Sequence, residues 1–425
     1  MRRNSRKNRR KNQKEILNNK NLIRFLSIFV CILLFLLIIV SLFYTIKNNH
    51  INEQIVETAS QDLENTTFID NSTVSSETEN TDVTFTLGAI GDVLCHNTQY
   101  WDAYNSETGE YDFSYVFDDI SYYTKTADIC IGSLETTFGG AERGYSNYPK
   151  FNSPDGLAYS LKKIGLDVIS TAGNHALDTG FDGLCRTIDV LDDADISHLG
   201  TYKTQEEQEQ ILFKYVKGVK IAFINYTYGT NGISIPSGKE FCVNLIDKDL
   251  IQKQIEQAKS HNADIIVACM HWGTEYRTTA NSEQTKLADF LFQNGVDIIL
   301  GNHPHVLEPM EKRTITLEDG STKDGFVIYA LGNFISDQNA ENTRNSIILN
   351  LTITKHTDGQ ITIDKINYVP IYMYKNTALK TKKMKLLDIN RTIANYESGT
   401  DTSIGEATYN DLKVQLEKIK KIVGE

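Results

Sequence analysis

No two of the six cysteines are spaced as CxxC, and neither a GxSxG elbow nor a cysteine-centred catalytic motif occurs along the 425 residues. Cys31 lies inside a long apolar run, while Cys95, Cys130, Cys185, Cys242 and Cys269 sit in apolar contexts such as DVLC, ADIC and VACM. Five is an odd number, which argues against a complete disulfide framework and leaves these residues as small core side chains. The chain also lacks the basic excess of a nucleic-acid-binding domain. Its first 24 residues hold ten Lys/Arg and one Glu, about +9, so a net charge of −12 leaves about −21 for the remainder. Internal repeats are absent as well.

Charge is missing altogether from Phe25 to Tyr44, in the run FLSIFVCILLFLLIIVSLFY. Such a run spans a hydrocarbon core of roughly 30 Å. No small-residue cleavage site precedes Lys47, so the segment reads as an uncleaved anchor rather than a secretory signal. The basic start places the N-terminus in the cytoplasm and everything after residue 46 outside, a single-pass arrangement in the cell membrane. Residues 47–82 are polar, acidic and without sustained period, as a flexible stalk would be.

Beyond the stalk the sequence is patterned. The 40% hydrophobic content permits a sizeable core. From Val83, apolar runs of four to eight residues (VTFTLGAIG, ADICIGSL, LDVISTA, KIAFINYT, ADIIVACM, VDIILG) alternate with helical stretches, which signals an α/β domain. GFVIYALGN, SIILNLTIT and ITIDKINYVPIYM then come in succession with few helices between them. A mainly parallel part followed by hairpins gives two packed mixed sheets with helices outside. The expected organisation is a basic cytoplasmic segment 1–24, an anchor 25–46, a stalk 47–82, a catalytic-type domain 83–380 and a partly helical extension 381–425.

Polar clusters fall just after the expected strands: Asp92 with His96 close behind, Glu135, the run Asn174-His175 with Asp178, His271 with Glu275, and His303 with His305. In open α/β sheets, ligands bind beyond the carboxyl ends of strands, so these clusters can share one crevice. Each alone has an ordinary structural explanation as a turn aspartate, a helix-start glutamate or a core histidine; the ordered set is hard to obtain by accident. In GNHPHVL, Pro304 disfavours helical backbone at His303, so an extended segment with both imidazoles on one side is expected. Asp92, Glu135, Asn174, His271, His303 and His305 together offer the oxygen and nitrogen donors of a two-metal centre, with Glu135 or Asp92 able to bridge. Two divalent ions contribute +4 against −2 from the carboxylates, which favours a phosphate group and an activated water even in an acidic domain.

With GDVLCH, SLETTF, LKKIGLDVISTAGNHALDTG, HWGTEY, GNHPHVLEP and YALGNFISDQ in this order, the region from about Val83 to Tyr374 resembles the CapA-type capsule synthesis proteins, a branch of the calcineurin-like metallophosphoesterase superfamily. The resemblance implies a four-layer α-β-β-α sandwich with its site at the sheet edges. It also implies two divalent ions of the Mn, Zn or Fe type, one held by Asp92 and His305, the other by Asn174, His271 and His303, with Glu135 between. His175 would then be the proton donor, oriented by Asp178. The chain departs from the general pattern where Leu94 takes the place of the histidine in DxH, and His96 is the candidate replacement ligand. Glu135 replaces an aspartate, Ser133 an asparagine, and AGNH the usual ANNH.

The function so implied is membrane-anchored, extracellular work on an envelope polymer, poly-γ-glutamate in the family. The chemistry expected is dinuclear hydrolysis of a phosphoester, with polymer synthetase or export membrane proteins as partners and no nucleic acid. A non-catalytic polymer-binding or export-coupling module on the same fold is the alternative, and amide hydrolysis of the polymer a third possibility.

Overall fold

Side chains that alternate along a strand point to opposite faces, and here the two faces of each central strand enter different cores. The computed structural model describes residues 81–316, 320, 322–400 and 403–424. The expected anchor, the basic segment and nearly all of the stalk lie outside the described residues. Among the described residues, no helix is long and apolar enough to cross a membrane.

The strands β1 (Val83–Val93), β2 (Ile129–Leu134), β3 (Val168–Ser170) and β4 (Ser197–Leu199) run parallel to one another. β5 (Leu212–Val216) pairs antiparallel with β6 (Val219–Thr227), which continues in parallel through β7 (Ile265–His271) and β8 (Ile298–Asn302). β9 (Met310–Thr316) and β10 (Thr322–Ile328) close the sheet as a hairpin whose second strand is parallel to β8. The short β11 (Asn333–Ile335) pairs with β1, and β12 (Asn345–Lys355), β13 (Ile361–Lys375) and β14 (Met384–Asp388) come next as an antiparallel meander. One sheet therefore has the order β14-β13-β12-β1-β2-β3-β4, and the other β5-β6-β7-β8-β10-β9.

Ile221 and Phe223 of β6, Val267 of β7, Leu87 of β1 and Leu349 of β12 share the core between the sheets. Ala222, Ile224 and Ile266 turn the other way, onto the helices Lys248–Ser260 and Ser282–Asn294. Cys130 and Ile169 likewise pack outward, against the helices Gly156–Lys163 and Gly180–Asp193. The result is a mixed α/β sheet sandwich with helices on both outer faces. The residues after 380, expected as a partly helical extension, supply edge strand β14 and the helices Ile389–Glu397 and Glu406–Val423, the second of which buries Leu412, Ile419 and Val423 in the inter-sheet core. The cysteines Cys95, Cys130, Cys185, Cys242 and Cys269 are all free, and burial pushes the Cys269 thiol up to about 12, so it behaves as an inert apolar group.

The run GFVIYALGN is not one strand. Tyr329 donates its N–H to Pro309 and Leu331 to Gly301, after which Gly332 (φ +72°) turns the chain into β11 of the other sheet. This crossing presses backbone against backbone. A Cβ on Gly91 would sit 1.9 Å from the Gly332 carbonyl oxygen, and one on Gly301 1.9 Å from that of Tyr329. Gly301→Ala is expected to lower unfolding stability by about 3 kcal/mol, since the strands must part and the Trp272 indole to Tyr329 carbonyl bond (2.9 Å) must break. Denaturant unfolding measures it; an unchanged midpoint would contradict this packing.

Candidate metal centre

Strands β1, β2, β3, β7 and β8 end on a common edge, and residues at or just beyond their carboxyl ends meet there. Asp92 and Glu135 are fully buried, His271, His303 and His305 are nearly so, and Asn174 is 1% exposed. Ligand atoms of Glu135, His271 and His303 form one group within 4.8 Å of each other, and those of Asp92, Glu135 and His305 form a second. Glu135 belongs to both: its Oε1 lies 3.4 Å from His271 Nε2 and its Oε2 3.5 Å from His305 Nδ1. Asn174 Oδ1 lies 2.9 Å from His271 Nε2.

Several atoms of this cluster have no protein partner. Asp92 Oδ1, both Glu135 oxygens, His271 Nδ1 and His303 Nδ1 are buried without a hydrogen bond. An unpaired buried carboxylate is costly, and a cation is the group that would relieve it. Burial pushes Glu135 up to about 8, and burial together with the Glu135 charge raises Asp92 well above the carboxylate range. The same burial lowers His271 to about 3 and His303 to about 2, with further lowering at His303 from the His271 ring. His305 is also held far below its usual range, first by burial and then by His303. Neutral imidazoles and carboxylates short of positive charge make a donor set that fits divalent ions.

The backbone that presents His303 and His305 differs from the sequence expectation. Neither residue is extended: φ is +98° at His303 and +61° at His305. Proline does keep His303 out of the right-handed helical region, but the chain turns left-handed there, and the His303 N–H donates to Asp92 Oδ2 at 3.1 Å. The rings still face one spot, with centroids 6.0 Å apart.

His96 lies outside both groups. Its N–H is taken by Gln99 Oε1 at the start of the helix Asn97–Ala103, and its Nδ1 lies 3.0 Å from the Leu94 carbonyl and 3.3 Å from the Asp337 N–H. Phe151 makes edge contacts with both His96 and His175. His175 itself places Nδ1 2.7 Å from Asp178 Oδ2, which also accepts the Phe151 N–H at 2.6 Å. Burial works against protonation of His175, but the Asp178 hydrogen bond and the Glu135 charge outweigh it and raise the imidazole pKa.

Sequence reasoning did not single out the rest of the wall. Asn333 Oδ1 lies 3.1 Å from His305 Nδ1, and the Tyr228 ring packs 4.5 Å from that of His303. Asn231 (φ +50°) receives a hydrogen bond from Asn174 at 3.2 Å, and its Nδ2 stands 3.4 Å from His175 Nε2. Exposed Glu275 reaches the same region, grouped with His303 and His305. Glu275 is the member of this wall that the sequence had already placed in a polar cluster, beside His271 in HWGTEY. Tyr228 and Asn231 lie in YGTNG, where only a turn can be read.

Behind the cluster, Glu308 is fully buried, bonded at 2.5 Å to Gln284 and pushed by burial up to about 7. A raised folded-state pKa means stability that is complete below about pH 4.5 and lost as the pH climbs through 7. Glu308→Gln should remove up to about 3 kcal/mol of the stability difference between pH 4.5 and 8, read by denaturant titration at both ends. An unaltered pH slope would exclude Glu308 as its source.

The family model of the bacterial capsule synthesis protein PGA_cap matches residues 86–338, and the chain belongs to this family. The capsule biosynthesis protein CapA of Bacillus anthracis is 28% identical over 282 residues, 64% of this chain and 64% of that protein. The PGA biosynthesis protein CapA of Bacillus subtilis (strain 168) is 32% identical over 234 residues, 53% of this chain and 56% of that protein. Both matches span less than two thirds of the relatives' own length. Among solved structures, the NAD nucleotidase NadN of Haemophilus influenzae aligns with 80% of this chain and 61% of its own, at 15% identity and a TM-score of 0.43.

Proposed function

We propose that this chain is a membrane-anchored, outward-facing capsule biosynthesis protein that hydrolyses a phosphoester at a two-metal centre of the metallophosphoesterase type. The observation that carries the reading is the set of buried, unpartnered oxygens and nitrogens on Asp92, Glu135, His271 and His303. Asp92, Glu135 and His305 would hold one ion, and Glu135, Asn174, His271 and His303 the other. Two such ions would activate a water and offset charge developing on the phosphoryl oxygens. The protein's own part is to fix and protonate. Asp178 engages His175 Nδ1, so the proton available for the leaving oxygen sits on Nε2. The anchor at residues 25–46 would keep this chemistry beside polymer synthetase or export proteins in the membrane, with poly-γ-glutamate the polymer that the family points to.

The full chain should contain two divalent ions by elemental analysis and release p-nitrophenol from bis(p-nitrophenyl) phosphate, with chelation abolishing turnover. A protein without metal and without turnover, which nevertheless retained polymer, would replace this reading with the binding module. Protease added outside protoplasts should digest the domain; protection would reverse the proposed topology.

A further inference from the structure

The loop that leaves β7 is fastened to the histidines at the end of β8. Gly273 (φ +97°) turns the chain, and Tyr276, itself left-handed at φ +64°, donates its N–H to the Pro304 carbonyl at 2.8 Å. A left-handed tyrosine is uncommon, and here that bond holds it in place. Glu275 is thereby set beside the segment His303-Pro304-His305. A carboxylate oxygen of Glu275 lies within 4.8 Å of a ring nitrogen of His303 and one of His305, yet Glu275, unlike Asp92 and Glu135, is exposed.

No lysine or arginine is seen to balance it. Among the described residues, the charges that bear on Asp92, Glu135, His303 and His305 come from one another, from His175, His271 and Asp178, and from Glu275. Arg277, two residues further on, is exposed and makes no ion pair with Glu275. Lys375, on the side of His96, is taken up by Asp337 at 2.7 Å. Aromatic surface fills the rest of the mouth: Tyr228, whose N–H donates to the His271 carbonyl at 3.0 Å, stands 4.5 Å from the His303 ring, and Tyr276 stands 6.1 Å from that of His305. Both tyrosines are half-exposed.

We propose that Glu275 determines the substrate class of the centre, turning away phosphomonoester dianions and admitting phosphodiesters. The inference rests on the proposed two-metal hydrolysis and deepens it. The ions would attract either ester; this chain's own residues add one negative charge at the mouth and no lysine or arginine beside it. A monoester brings two charges to Glu275 and a diester one, so the repulsion is twice as large for the monoester. The third non-bridging oxygen of a monoester also calls for a cationic donor, which an arginine or lysine would supply and which this wall lacks. A diester has an organic substituent there instead, and the rings of Tyr228 and Tyr276 offer it an apolar surface.

The test compares bis(p-nitrophenyl) phosphate with p-nitrophenyl phosphate on the full chain at low ionic strength and about pH 8, where the monoester is a dianion. Both release p-nitrophenolate, which needs no proton, so any influence of Glu275 on His175 cancels in the ratio. The native chain should favour the diester in kcat/KM by at least about tenfold. Glu275→Gln should raise kcat/KM about fivefold on the diester and about 25-fold on the monoester, because doubling the charge squares the factor. Calorimetry gives a readout without turnover: orthophosphate should bind the same variant about 25-fold more tightly than it binds the native chain. Glu256→Gln on the outer helix Lys248–Ser260 should change none of these by more than about twofold. Equal gains on the two esters, a native preference for the monoester, unchanged orthophosphate affinity, or loss of an ion in Glu275→Gln by elemental analysis would each overturn the proposal. A native chain that holds its ions but hydrolyses neither ester would sink the hydrolase reading alone, and orthophosphate affinity would then decide this one; a chain without ions would end both.

Discussion

Glu135→Gln should lower phosphodiester turnover about a thousand-fold or more, roughly 4 kcal/mol of transition-state stabilisation, and reduce bound metal from two ions to one or none. Glu135 is the residue common to both donor groups, with one oxygen toward His271 and the other toward His305. The amide preserves volume but removes the negative charge and one acceptor, so two cations held on either side of it would lose their screening. Stability moves the other way. In metal-free protein the carboxylate is buried and unpartnered, and burial raises it to about 8, so its neutral replacement should leave the metal-free melting temperature equal or higher. Loss of turnover together with a lower metal-free melting temperature would indicate a structural role instead.

His175→Gln should retain both ions and reduce kcat about a hundred- to ten-thousand-fold on an alkyl phosphoester. The effect should be far smaller with a p-nitrophenyl ester, whose leaving group departs without a proton. That difference comes from the geometry: Asp178 holds Nδ1 at 2.7 Å, the hydrogen bond and neighbouring carboxylates raise the imidazole pKa, and the proton to be given is on Nε2. Equal losses on the two substrates, or loss of metal, would make His175 a ligand or a scaffold rather than a donor.

The sandwich was legible because its central strands are long, apolar and bounded by turn residues, as in KIAFINYT and ADIIVACM. β4, β9 and β14 were not. β4 is three residues long, β9 reads MEKRTIT with exposed charges, and the apolar Met384, Leu386 and Leu387 of β14 form only a short run beside several lysines. The splitting of GFVIYALGN between two sheets depends on hydrogen bonds to Pro309 and Gly301, which no local pattern encodes.

For the site, residue types at strand ends sufficed to bring Asp92, Glu135, Asn174, His271, His303 and His305 under consideration. Their backbone was not legible in the same way: a proline rule excludes one region of φ/ψ space for His303 but does not choose among the others. His96, a candidate ligand from its place four residues after Asp92, stands at the start of a helix with its Nδ1 at the Leu94 carbonyl. Asn333, Tyr228 and Asn231 enter through tertiary convergence, and their types are common in turns.

Anomalous scattering from crystals of the full chain grown with Mn²⁺ tests the central claim most directly. Two peaks about 3.5–4 Å apart, one beside Asp92 and His305 and the other beside His271 and His303 with Glu135 between them, are the expected result. Manganese bound only at surface carboxylates, with the imidazoles and Glu135 empty, would contradict it.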